Sequence, residues 1–296
     1  MHCIFCIAQS NTSKSVEHIV PESLGNTRHI LPRGAVCDTC NNYFARKVEK
    51  PVLSHRSIRN LRAWNGLRSK GGKQTPLLAT QLSSGFDVAI SREANGDVYV
   101  RAEKGKTSSE IKTHLDQDDE LGLHAFAVNL EIDPPQREMS RLLAKMALER
   151  CFSDFERANK DSDKLIFDRY FDNIRRWARY GDNFSRWPYH QRTIYPQDAQ
   201  MLHPTTNEWI KAGIGQGLFH TPSPETYYSI VLYGTEFIIN VGGPNIEGFE
   251  RWLTQNDNAS PHLKLTQLKV SIAFNNGEPL ARLVNTEIPT TTSERD

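Results

Sequence analysis

The chain has 296 residues, 38% of them hydrophobic and 24% charged, with a formal net charge of +1. That length admits two domains and that balance suits a globular chain; no run approaches the roughly 18 apolar residues of a membrane span, and the first six residues lack the basic-then-apolar order of a secretory signal. The charge is uneven: residues 1–75 hold twelve Lys/Arg against four acids, net +8, which leaves −7 for the rest. A basic head on an acidic body is the pattern of a nucleic-acid footprint confined to one end.

In chain order, Cys3-x-x-Cys6 opens the sequence and Cys37-x-x-Cys40 follows after a loop of thirty residues. Two pairs at this spacing predict a tetrahedral site in which Cys3, Cys6, Cys37 and Cys40 hold one zinc ion. Four thiolates leave zinc no open position, so its role is structural, and they favour a reducing compartment, hence the cytoplasm. Between the pairs, residues 15–20 read as a strand stopped by Pro21. Residues 29–36 read as a second strand, irregular or at an edge because of Pro32. A helix is expected over 39–50, ending before Pro51.

The loop carries Glu17-His18-Ile19-Val20-Pro21-Glu22-Ser23-Leu24-Gly25-Asn26, and the second cysteine pair sits in Val36-Cys37-Asp38-Thr39-Cys40-Asn41-Asn42. Together with Cys3-x-x-Cys6 these runs resemble the HNH endonuclease family, the ββα-metal (His-Me finger) nucleases, in its zinc-stapled branch. The resemblance covers residues 1–50, about a sixth of the chain. It implies Glu17 and Asn41 as ligands of a catalytic Mg²⁺ or Mn²⁺, with Asn42 as the fallback for Asn41, and His18 as general base. The chemistry agrees: imidazole can take a proton from water near neutral pH, and a hard cation takes oxygen ligands. The family's usual Asn ahead of the third cysteine has no counterpart in residues 29–36; Asn26 and His29 remain the alternatives.

Residues 51–75 extend the basic stretch. Arg56, Arg59 and Arg62 recur every three residues on a short helix, and Arg68, Lys70 and Lys73 follow in a glycine-rich loop. With Arg46 and Lys47 they are the expected phosphate contacts, which position a nucleic acid without reading its sequence.

Beyond residue 76 the pattern changes. Residues 86–90 and 98–101 alternate around Asn95-Gly96, a hairpin signal. Residues 116–120 read as an acidic turn and 124–132 as a strand. A helix over 136–157 carries Met139, Leu142, Leu143, Met146 and Ala147 in one stripe, with Cys151 as a core residue. A second helix over 165–180 is expected to bury Phe167, Phe171, Ile174 and Trp177 and to turn Arg169, Arg175, Arg176 and Arg179 outward. Residues 227–232 and 236–241 form a meander about Gly234. Residues 263–274 read as strand up to the turn Asn275-Asn276-Gly277, and the tail from Pro289 as disordered.

The expected fold is α+β: an HNH domain with its basic extension over 1–75, a larger mixed α+β domain over 76–288 and a tail over 289–296. The resemblance implies a DNA endonuclease, an enzyme of restriction or anti-phage defence, whose larger domain selects substrate, senses a signal or dimerises, with a homodimer or a defence-system protein as partner. The residues leave two other readings open. One is a zinc finger that binds nucleic acid without cutting it; the other is a nuclease acting on RNA.

Overall fold

The computed structural model describes residues 1–69, 71–92, 96–103, 107–120, 124–203, 205–223, 225–275 and 278–285. The expected contact Lys70 and the tail over 289–296 lie outside them, as do Asn95, Asn276 and Gly277 of two turns. Among the described residues no helix is long and apolar enough to cross a membrane. The architecture is α+β, and the chain forms two compact units. One comprises Met1–Ile19, Arg28–Phe44 and Ser140–Asp296; the other comprises Val20–Thr27 and Ala45–Met139.

In the first unit, the expected strand over 15–20 is reduced to one antiparallel bridge, His18 to Ile30. It is flanked by Leu31 N–H to Glu17 O (2.9 Å) and Ile19 N–H to His29 O (3.0 Å). Pro21 and Pro32, which cannot donate to a ladder, cut the pairing short on both sides. Helix α1, Asp38–Phe44, follows. In the second unit it gives way to a π-helical stretch, Ala45–Glu49, and then α2, Lys50–Ser54. Helical structure therefore runs past the expected stop at Pro51, because proline is tolerated in the first turn, where an amide lacks a partner anyway.

Helix α3, Arg56–Trp64, packs on β1, Leu77–Gln81. Fully buried Asn60 pins the two together: its Nδ2 donates to Leu78 O and its Oδ1 accepts from Leu78 N–H, at 2.9 and 2.7 Å. Strands β2, Asp87–Arg92, and β3, Val98–Ala102, form the expected hairpin on β1. Residues 116–120 are not a turn but the end of α4, Ser108–Glu120. A capping box starts that helix: Glu110 N–H donates to Thr107 Oγ1, and Thr107 N–H to Glu110 Oε2. Of the strand expected over 124–132 only β4, Phe126–Ala127, forms, at the edge of the sheet ordered β3-β2-β1-β4.

The long helix α5, Gln136–Arg157, is as expected, and Cys151 on it is buried. The helix expected over 165–180 is broken into α6, Ser162–Phe167, a 3₁₀ turn Arg169–Phe171, and α7, Asp172–Arg179. Asp168 breaks it by capping the new turn, accepting from Tyr170 N–H at 2.9 Å. The break changes which faces are buried: Phe167 is exposed, whereas Arg175 and Arg179 are buried.

Strands β5, Tyr189–Thr193, β6, Gln200–Leu202, β7, Trp209–Lys211, and β8, Ile214–His220, lead to the meander β9, Thr226–Leu232, and β10, Thr235–Asn240. Tyr233 and Gly234 join the last two with φ of 48° and 93°, the left-handed pair that a two-residue hairpin needs. A Cβ on Gly234 would lie 2.1 Å from Tyr195 O, so glycine is required there. The sheet β5-β10-β9-β8 packs Tyr227 and Ile238 against Phe249 and Leu253 of α8, Glu247–Gln255. Residues 263–265, expected to begin a strand, are helical. Ser260 caps α9, Pro261–Leu265, before β11, Leu268–Asn275, which pairs with β12, Glu278–Asn285.

Candidate functional site

The four cysteines meet. Their sulfur atoms all lie within 4.8 Å of one another, with Cys3 and Cys40 buried. The Cys6 and Cys37 sulfurs are 3.6 Å apart, close to the about 3.8 Å edge of a tetrahedron with zinc–sulfur bonds of about 2.3 Å. The first knuckle is a tight turn and the second opens helix α1. Ile7 N–H donates to Cys3 O at 2.9 Å, which forces Ile7, a β-branched residue, to a φ of 62°. Backbone amides point at the sulfurs: Cys37 N–H to Cys3 Sγ at 3.3 Å and Cys40 N–H to Cys37 Sγ at 3.4 Å.

The thiols are too close to ionise together without a cation. The hydrogen bond with Cys40 pulls the Cys3 thiol down to about 5, and the same bond pushes Cys40 up. Burial raises Cys6 to about 11. A divalent ion would relieve that repulsion, and the four-cysteine cluster fits structural zinc. Arg179 Nε donates to Cys40 Sγ at 3.3 Å, a further contact to the thiolate charge, and Arg175 Nε holds Ile4 O, between Cys3 and Cys6, at 2.7 Å.

The short strand bearing Glu17 and His18 is tied to α1. The Asp38 carboxylate accepts from Ser15 N–H and Oγ, at 2.8 and 2.5 Å, and from Lys14 N–H at 3.1 Å. Those bonds, led by the Ser15 hydroxyl, hold the Asp38 carboxyl below the usual range. Asn41 Nδ2 reaches Val16 O at 3.4 Å, so Asn41 lies against the strand that presents the Glu-His pair, while Asn42 is exposed. His18 is half-buried, and its Nδ1 is enclosed with no hydrogen-bond partner among the described residues.

Glu17 is 7% exposed and turns inward. Its Oε1 is 2.5 Å from Lys145 Nζ, and the same ammonium is 3.1 Å from Glu149 Oε2 and 3.5 Å from His18 O. Lys145 and Glu149 are fully buried, one turn apart on α5. Sequence reasoning missed both, and it missed Arg175 and Arg179. The signal was there for Lys145: it falls between Leu142, Leu143 and Met146, inside an apolar stretch where a lysine needs a buried partner.

Asn26 is buried, and its Nδ2 bonds Val20 O at 2.8 Å, closing the loop after the strand. His29 contributes its carbonyl to the Ile19 pairing. Its ring is held below the usual imidazole range by burial and then by Arg150, Arg157 and Arg28.

The basic residues divide. Arg46, Lys47, Arg68 and Lys73 are exposed. Arg56 pairs with Asp87 at 2.7 Å and Arg59 with Glu103 at 3.4 Å, while Arg62 is buried and donates to Ser23 O at 2.8 Å.

Residues 3–57 match the family model described as HNH endonuclease. No curated protein and no solved structure matches the chain. The N-terminal segment is thus an HNH endonuclease domain with a four-cysteine cluster, followed by a larger α+β remainder, and that domain supports a nuclease role.

Proposed function

We propose that the protein is a metal-dependent endonuclease that hydrolyses phosphodiester bonds in DNA, with His18 as general base. The carrying observation is that the Glu17-His18 strand is tied to α1 through Asp38 and Asn41, beside a cysteine cluster that locks both in place. His18, half-exposed at this strand, takes a proton from water as it attacks phosphorus. Glu17 and Asn41 offer the oxygen donors a hard cation prefers. Mg²⁺ or Mn²⁺ bound there would stabilise charge on the phosphate and the leaving oxygen. Arg46, Lys47, Arg68 and Lys73 would contact the phosphate backbone, leaving sequence unread. Restriction or anti-phage defence in the cytoplasm, as a homodimer or with a partner protein, is the role this chemistry would serve.

One observation favours a non-cutting, nucleic-acid-binding reading: the Glu17 carboxylate already has an ammonium on it. Plasmid incubated with the purified protein and Mg²⁺ or Mn²⁺ separates the two. Cleavage that falls by about 10²–10⁴-fold in His18→Ala, with binding retained, is the expected result. Shifted but uncut DNA with both proteins would instead establish the binding module. A parallel RNA substrate distinguishes the two nucleic acids.

A further inference from the structure

The second unit holds an open depression of about 510 Å³, lined by Lys50, Arg59, Arg62 and Lys73 together with serines, Leu53 and Pro76. That volume is within the range of small-molecule sites. No acidic residue among the described residues lines it. Glu103 meets Arg59 at 3.4 Å and offsets one charge of the four.

Arg62 is the unusual member. It is 9% exposed, has no carboxylate partner among the described residues, and spends only its Nε, on Ser23 O. Both terminal amino groups are left for a ligand. Burial, and then the neighbouring Arg59 charge, push it below the usual guanidinium range, so the charged form is held at a cost that an anion would offset. Ser69 Oγ accepts from Lys73 N–H at 3.2 Å and keeps its own proton to donate.

We propose that this depression binds a compact polyphosphate, the di- or triphosphate group of a free nucleotide. Four cations around one depression, with buried Arg62 among them, match charge concentrated on one compact group. A duplex backbone spreads its charges singly along a ridge, which suits exposed lysines but not a guanidinium as buried as that of Arg62. Leu53 and Pro76 provide apolar surface for the rest of the nucleotide.

Calorimetry on the full-length, zinc-loaded protein tests this, with ATP, ADP, inorganic pyrophosphate and sulfate at matched ionic strength. ATP, ADP or pyrophosphate should bind and sulfate should not. Equal affinity for ATP and pyrophosphate would assign the binding to the phosphates alone, and tighter ATP would add the nucleoside's packing. Lys50→Ala and Lys73→Ala, both at exposed positions that folding does not need, should each weaken binding about tenfold. Arg62→Met should weaken it further, with circular dichroism checking its fold. The proposal is overturned if none of the three phosphates binds at millimolar concentration, if sulfate binds as well as they do, or if the Lys50→Ala/Lys73→Ala double variant binds unchanged.

Discussion

Cations in the two units do opposite jobs with similar residues. In the first unit Lys145, Arg175 and Arg179 come from α5 and α7, over a hundred positions along the chain from the motif. They end buried on Glu17, Ile4 O and Cys40. In the second, Arg56, Arg59 and Arg62 sit close behind the motif, yet the acids Asp87 and Glu103 and the Ser23 carbonyl engage all three. The charge that serves the proposed site is the remote charge, and much of the adjacent charge holds its own unit together. Proximity in sequence is a poor guide here because a partner is chosen by the fold, whose strands deliver Asp87 and Glu103 to α3.

The strongest way to break that contrast is to remove the thiolates. Cys40→Ser takes away one zinc ligand and the group Arg179 faces. Structural zinc sites contribute about 10–16 kcal/mol to folding, so loss of zinc and of soluble, cooperative folding should come together, read by metal analysis and circular dichroism. A folded, zinc-loaded Cys40→Ser protein would mean that the cluster does not anchor the motif.

The next test is Lys145→Met. It leaves Glu17 and Glu149 buried without the ammonium between them, and breaking a buried pair in this way costs about 3–5 kcal/mol. Denaturant unfolding should register it. Lys145→Met/Glu17→Gln should recover part of the loss, because one of the stranded charges is gone as well. If the single variant is as stable as the parent, the pair is not what holds Glu17 inward.

Arg179→Leu should be milder. Second ligand-shell contacts of this kind carry about 10–100-fold in metal affinity, so competition with a chromogenic chelator should show zinc leaving more readily from an otherwise folded protein.

How much of this was legible follows the same line. The cysteine cluster was, because x-x spacing is local geometry and one ion closes it. So were α5 and the meander at Gly234, where periodicity and turn chemistry agree. The bends were not. Asp168 caps a new turn inside an apolar run, Ser260 starts a helix where a strand was expected to begin, and Thr107 with Glu110 starts the helix that runs on through the acidic residues read as a turn. Each is a side chain competing for a backbone amide, which a hydrophobicity count ignores. At the site, Cys3, Cys6, Cys37 and Cys40 converge, and Asn41 lies against the strand. The inward turn of Glu17 depends on Lys145, 128 residues on, and no local pattern carries that distance.

The smallest effect falls on the second unit and sharpens the contrast from its other side. Arg56 holds the Asp87 carboxyl below the usual aspartate range, with burial opposing and Thr80 adding a further hydrogen bond. A depressed carboxylate contributes stability that is complete above the unfolded-state value and lost as pH falls through the folded one, so this contribution should disappear only in acid. Both partners are more than a third exposed, and solvent screening limits the pair to about 0.2–1 kcal/mol. Asp87→Asn should therefore lower stability slightly at pH 7 and not at all below the folded Asp87 value. Because it frees Arg56, it should also tighten binding to nucleic acid and steepen its salt dependence, by close to one more phosphate contact. Unchanged binding in Asp87→Asn would leave Arg56 a wholly structural cation and confine backbone contact to Arg46, Lys47, Arg68 and Lys73.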